Sequence, residues 1–172
     1  LRNQLLFLIP VSMSLLFGCG EPAPADAYCR VASHQTSLPP AAAACVIDIG
    51  TKLVTLKLSE SGQFTLPIGE KDPSLSAQCT AHKATWQQTG FNVEIGALLG
   101  EDVSGREYFH CHLDPLVVGD LDTLPTPSWA NPLFEKIDIL DPYTLEPAQW
   151  HEQDNFIHVL DFFTAPDVSL PK

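Results

Sequence analysis

The chain has 172 residues, with 9 lysines and arginines against 21 aspartates and glutamates, a formal charge of −12 with histidine neutral. That length suits one domain, and 45% hydrophobic against 17% charged residues is enough apolar material for a core, which excludes wholesale disorder. Residues 94–172 carry 15 carboxylates and 3 cations (Arg106, Lys136, Lys172), whereas residues 20–93 carry 6 and 5. Such a surface repels phosphate backbones, so nucleic acid is not an expected partner.

Leu1 to Phe17 reads as a secretory signal: one cation, Arg2, then an apolar stretch from Leu5 broken by Pro10 and two serines. No apolar run reaches the roughly 18 residues of a membrane span. The segment ends Gly18-Cys19, followed by Gly20-Glu21-Pro22-Ala23-Pro24-Ala25. It resembles a bacterial lipoprotein signal, in which a small residue precedes a Cys that becomes the lipidated first residue. An ordinary cleaved signal with Cys19 incidental is the alternative. By the resemblance, the only membrane contact is through the lipid anchor. Gly20 in place of Asp after Cys19 then suits the periplasmic side of an outer membrane. Setting Cys19 aside leaves Cys29, Cys45, Cys79 and Cys111, an even set for an oxidising compartment. Four cysteines allow three pairings, and nothing in the spacing chooses among them. Some of them as small buried hydrophobes is the other reading, and the lack of any C-x2-C spacing disfavours zinc.

Residues 19–40 form a tether or lead-in with four prolines, Pro22, Pro24, Pro39 and Pro40. Ala41–Ile49, a turn at Gly50-Thr51 and the alternating Lys52–Leu58 predict a hairpin. After a turn at Ser59–Gly62 comes a strand at Gln63–Leu66, stopped by Pro67. Ser74 is the expected cap of a helix running to Thr89 and closed by Gly90. Asn92–Leu99 and Arg106–Leu113 read as strands around a turn, residues 114–132 as a proline-punctuated loop, and Leu133–Leu140 as a strand. A final helix is expected from Pro147 to Phe163, with Trp150, Phe156, Ile157, Leu160 and Phe163 as its apolar residues. The division is thus 1–18 signal, 19–40 lead-in, 41–163 domain and 164–172 tail, with a mixed α/β fold.

Gly69, Gly90 and Phe91 fall without a gap on the pattern Gly, five residues, Glu, seven residues, Arg-Glu-apolar-any-Glu-Glu-any-Gly-apolar. The stretch from Gly62 to Phe91 therefore resembles the Nudix box. The preceding Leu66-Pro67-Ile68-Gly69 and the following Asn92–Gly100 are similar to the family as well, so the likeness covers residues 41–163. Ser76–His82 looks most like exported Nudix domains found alone or joined to phosphatidic-acid-phosphatase-type enzymes. The resemblance implies a mixed β-sheet sandwiched between helices in one domain.

The family's chemistry does not carry over with it. Leu75 stands where the family has its first Glu, Lys83-Ala84 where it has Arg-Glu, and Gln87-Gln88 where it has Glu-Glu. Ala84, Gln87 and Gln88 share one helix face. In the family that face carries the carboxylates that hold Mg²⁺ and activate water. An amide oxygen has no charge and no basicity near neutral pH, and alanine offers no ligand. The degenerate positions Gly69, Lys83, Ala84, Gln87, Gln88 and Gly90 thus predict a fold that has lost phosphoanhydride hydrolysis and binds a ligand or partner. A phosphorylated small molecule or an envelope protein is the expected partner.

The alternative is a residual pyrophosphohydrolase using Mg²⁺ or Mn²⁺ held by acids outside the box. Glu70 and Asp72 come first, then Glu94, Glu101 or Asp102, with solvated loop charges as the simpler reading. A third reading is a structural lipoprotein offering only an acidic surface. His110 and His112 share one strand face, and with His82 they form a candidate Zn²⁺ or Cu²⁺ site against the simpler reading of polar surface. His151 and His158 read as surface. Trp86, Trp129 and Trp150 are stacking candidates, or core and rim residues. Lys83, beside Ala84, lacks its family partner and is expected to face solvent or an acidic loop.

Overall fold

The computed structural model describes residues 24–114, 122–130 and 132–165. The signal, Cys19 and tail residues 166–172 lie outside them. In chain order the elements are β1 (Ala43–Val46), β2 (Asp48–Ile49), β3 (Lys52–Leu58), β4 (Phe64–Thr65), β5 (Ile68–Gly69), α1 (Ala77–Thr89), β6 (Glu94–Glu101), β7 (Glu107–His112), β8 (Thr123–Pro125), β9 (Phe134–Leu140) and α2 (Phe156–Thr164). One sheet has the order β5-β1-β7-β6, with β1 and β7 parallel. The other has the order β2-β3-β9-β8, with β4 also paired to β3.

All four residues of β1 are buried, because both faces of this central strand are covered. Side chains alternate along it. Ala43 and Cys45 join Ala77 and Ala81 of α1, Phe109 and Cys111 of β7, and Val54, Leu56, Ile137 and Ile139 of the second sheet. Ala44 and Val46 face the other way, toward Leu66, Tyr108, Trp150, Phe156 and Val159. The result is the expected mixed sheet between helices.

The predicted hairpin over residues 41–58 is only partly formed. β2 and β3 pair across Gly50, but β1 belongs to the other sheet. A continuous apolar run is what a doubly covered strand needs, and β1 takes that role. β8 lies inside the segment predicted as loop; three residues ending in proline carry no readable alternation. The last helix begins at Phe156 and not at Pro147, after short 3-10 turns at Pro147–Gln149 and Gln153–Asn155. Between those turns Trp150 is extended and bridges to Phe64, while His151 N–H donates to Phe64 O at 2.9 Å. Tertiary pairing overrides the helical pattern there. Val159, omitted from the predicted apolar set, is buried, whereas Ile157 is exposed.

Two disulfides choose one of the three pairings: Cys29–Cys79, which fastens the lead-in to α1, and Cys45–Cys111, which joins β1 to β7 inside the core. The lead-in is irregular but docked. Val31 bridges Ile95, and the Gln78 side chain accepts from Leu38 N–H at 3.0 Å and donates to Thr36 O at 2.7 Å.

Candidate functional site

Helix α1 starts two residues later than predicted. Ser74 N–H and Oγ both donate to Asp72 Oδ1, at 2.9 and 2.6 Å, so Ser74 is committed to a local turn. Ser76 caps instead, its Oγ accepting from Cys79 N–H at 3.2 Å. Gly90 ends the helix at φ 75°, a left-handed conformation that favours glycine, and its N–H donates to Trp86 O. The buried face of α1 is small and polar: Gln78, Thr80, Ala81, His82, Ala84, Thr85 and Thr89. Thr85 and Thr89 hydroxyls donate to carbonyls one turn back, at 2.8 and 2.7 Å.

That face closes against β5. A Cβ built on Gly69 would lie 2.9 Å from Thr80 O and Cγ2 and 3.0 Å from Ala84 Cβ, so strand and helix touch only because residue 69 has no side chain. Gly69→Ala should therefore push β5 off α1 and cost about 1–3 kcal/mol, as overpacking does. Urea unfolding checks this, and an unchanged midpoint would show that the contact yields freely. Beside it, Gln88 clamps the same strand: its Nε2 donates to Ile68 O at 2.7 Å and its Oε1 accepts from Ile68 N–H at 3.1 Å.

The degenerate box positions other than Gly90 meet around one cavity of about 320 Å³, lined by Ile68, Gly69, Glu70, Asp72, Leu75, Thr80, Lys83, Ala84, Gln87 and Gln88, whereas Gly90 closes the helix beside Pro127 and Trp129. Both leading relocated-acid candidates, Glu70 and Asp72, which precede the helix, are in the cavity wall. Ser74 holds the Asp72 carboxyl below the usual carboxylate range, first through its hydroxyl and then its N–H, with Lys83 adding a smaller effect. Lys83 Nζ lies 3.7 Å from Asp72 Oδ2 and 3.9 Å from Asp26 Oδ2, so it faces an acidic loop, as expected, and also the lead-in. Gln87 Nε2 donates to Asp26 Oδ1 at 2.9 Å. Asp26 and Thr80 were not among the sequence candidates. The cysteines held the available clue, since a bridge from Cys29 to α1 draws in the lead-in. Thr80 is buried, and its Oγ1 has no hydrogen-bond partner among the described residues.

The remaining candidates lie elsewhere. Glu94 pairs with Arg30 at 3.7 Å, and Glu101 is opposite Glu107 at the end of β6. Asp102 is buried in a separate network with Tyr108, Asn155 and Arg106. None of the three lines the cavity. The three histidines are not gathered as a metal site either. His82 Nε2 bonds Asn92 Oδ1 at 3.0 Å, while His110 pairs with Asp48 and packs edge-on to His112. Burial, chiefly, lowers the His82 pKa, opposed by the bond to Asn92 and reinforced by Arg30. Trp86 packs beside Trp129, and Trp150 is core; His151 and His158 are exposed as expected.

Mg²⁺ does not fit the box residues. Leu75 and Ala84 offer no side-chain oxygen, both ends of the Gln88 amide hold Ile68, and the Lys83 ammonium stands among the remaining groups. Among the described residues no three His, Cys, Asp or Glu side chains are grouped so that they could hold a metal ion.

No protein-family model matches the sequence, and no curated protein matches it significantly. Solved structures do resemble it. An ADP-ribose pyrophosphatase from Streptococcus suis superposes with a TM-score of 0.52 at 15% identity, over 74% of this chain and 93% of that one. A Nudix hydrolase from Nitrosomonas europaea gives 0.51 at 16%, over 76% and 99%. A UDP-X diphosphatase gives 0.51 at 15%, over 73% and 63%. At such identities the likeness speaks to the fold alone. With two sheets, the α1 box helix against β5 and the closing α2, the chain has the fold of the Nudix hydrolases.

Proposed function

We propose that this chain is an exported, lipid-anchored protein in which the Nudix fold binds a small phosphorylated ligand without hydrolysing it. The observation that carries the reading is the composition of the cavity. The box positions still converge there around Gly69, but they present Leu75, Lys83, Ala84, Gln87 and Gln88 in place of a carboxylate set. Amides and an ammonium bind; they do not generate a metal-bound hydroxide. Two disulfides and the absence, among the described residues, of a helix long and apolar enough to cross a membrane are compatible with export of the domain. The anchor is read from Cys19 alone.

The test is Mg²⁺- or Mn²⁺-dependent hydrolysis of a phosphoanhydride panel by residues 20–172, with binding measured in parallel. The natural protein is expected to bind without turnover. A variant with Ala84→Glu, Gln87→Glu and Gln88→Glu is expected to gain measurable hydrolysis, reduced by the lost Gln88 donation to Ile68. Turnover by the natural protein that disappears on changing Glu70 or Asp72, but not Gln87 or Gln88, would replace this reading with the residual hydrolase. An absence of binding across the panel would leave an acidic interaction surface, with an envelope protein as partner.

A further inference from the structure

Cys79, Lys83 and Gln87 are spaced i, i+4 and i+8 along α1, and so form one stripe on its surface. The lead-in runs along that stripe. Cys29 is bonded to Cys79, and three residues earlier Asp26 reaches both Lys83 and Gln87. After Cys29 the lead-in is firmly held: Arg30 O accepts from Ile95 N–H at 2.9 Å, and the Arg30 guanidinium donates to Asn92 O at 3.0 Å. Before Cys29, Pro24, Ala25 and Asp26 are exposed, and among the described residues Asp26 makes side-chain polar contacts from this end to α1.

We infer that Lys83 and Gln87 form an anion subsite at the cavity edge and that Asp26 is its built-in occupant. The inference rests on the cavity being a ligand site, and it names the end of the ligand that docks here. The chemistry is a single anionic head, a carboxylate or a phosphate monoester, taking one ammonium and one amide N–H just as the Asp26 carboxylate does. Binding exchanges one anion for another, so a carboxylate adds no charge to the cavity, and a phosphate monoester, at about −1.5 to −2 near pH 7, adds no more than about one. Asp72 and Glu70 stand beside it and oppose a polyanion such as pyrophosphate. The Asp26 contact is half-exposed and therefore weak, so a ligand can displace it. The Cys29–Cys79 bridge keeps the displaced carboxylate close, at high effective concentration.

NMR titration with acetate, inorganic phosphate and pyrophosphate, following the Gln87 side-chain amide, tests this on the oxidised protein. In Asp26→Ala the amide signal should move even without ligand. The apparent Kd for acetate or phosphate should tighten about two- to sixfold, the release expected from a contact of this class. The gain should vanish in Asp26→Ala combined with Lys83→Ala, and pyrophosphate should bind no better than phosphate. The acetate and phosphate arms separate a carboxylate from a phosphate head. Equal binding by the natural protein and Asp26→Ala would overturn the inference while leaving the cavity a ligand site. No binding to either protein would overturn both. Because Asp26 is exposed, its replacement does not threaten folding.

Discussion

Replacing Asp102 with alanine is expected to destabilise the fold by about 3–4 kcal/mol, in the range for removing one partner of a buried charged network. Its side chain is fully buried. Oδ1 accepts from Ser104 N–H at 2.8 Å, Ser104 Oγ at 2.5 Å and Arg106 N–H at 3.1 Å; Oδ2 accepts from Tyr108 OH at 3.0 Å and Asn155 Nδ2 at 3.1 Å. Arg106 completes the assembly with a two-point pair to Glu152, at 2.5 and 3.0 Å. The network ties the β6–β7 turn to the segment before α2. Asp102→Asn keeps the shape and one acceptor oxygen, enough for the three donors now on Oδ1 but not for the two on Oδ2, so it should cost less, about 1–2 kcal/mol. Urea unfolding at neutral pH reads both; a loss under 0.5 kcal/mol for alanine would show that water replaces the carboxylate.

The same network fixes the acid limb of stability. Burial alone would raise the Asp102 carboxyl, but the donations from Ser104, Arg106 and Tyr108 outweigh it and hold it below the usual range. Glu152 is held low chiefly by its bonds to Arg106, against the cost of burial. Burial is also the main reason that the Tyr108 hydroxyl is pushed up to about 12. Carboxyls depressed in the fold bind fewer protons than in the unfolded chain. Their contribution is complete above their ordinary values of 3.8 and 4.5, and it is lost as pH falls through the lower folded ones. Asp102→Asn should flatten that fall below about pH 4. An unchanged acid limb would assign it to other carboxylates.

The second large effect is expected from the core disulfide. Cys45–Cys111 spans 66 residues of sequence, and the chain-entropy relation gives about 4 kcal/mol for closing such a loop. Cys45→Ala with Cys111→Ala should lose about that much, a large share of the roughly 5–15 kcal/mol that holds a domain together. Both cysteines are buried, whereas Cys29 and Cys79 are partly exposed. A mild dithiol should thus open Cys29–Cys79 in the folded protein and reach Cys45–Cys111 only on unfolding. Mass spectrometry of alkylated protein distinguishes the order. Equal reduction rates, or a loss under 1 kcal/mol for the double variant, would count against this account.

How much of this was legible in the sequence follows from the range of each signal. Alternation in Lys52–Leu58, the apolar stretch Leu133–Leu140, glycine at the end of α1 and the spacing from Gly69 to Phe91 are local. They placed the strands, the helix and the box, and with them the fold. The same spacing named most of the cavity wall, including Glu70 and Asp72, because a helix face and its preceding loop are close in sequence. Residue chemistry at positions 75, 84, 87 and 88 was equally plain: it shows what the box cannot supply.

Contacts across long separations were decided only by packing. β1 left its apparent hairpin for a central place between β5 and β7, since that position alone covers both its faces. Trp150 became extended because Phe64 pairs with that segment. Of three possible cysteine pairings the fold selects the one whose strands and helix already lie side by side. Asp102 follows β6, the strand after the box helix, yet it turns into a buried network, while Asp26 reaches the box from a lead-in with no pattern of its own. Periodicity reports which face of an element is apolar, but it contains no information about which distant side chain meets it, and that is where the candidate site was completed.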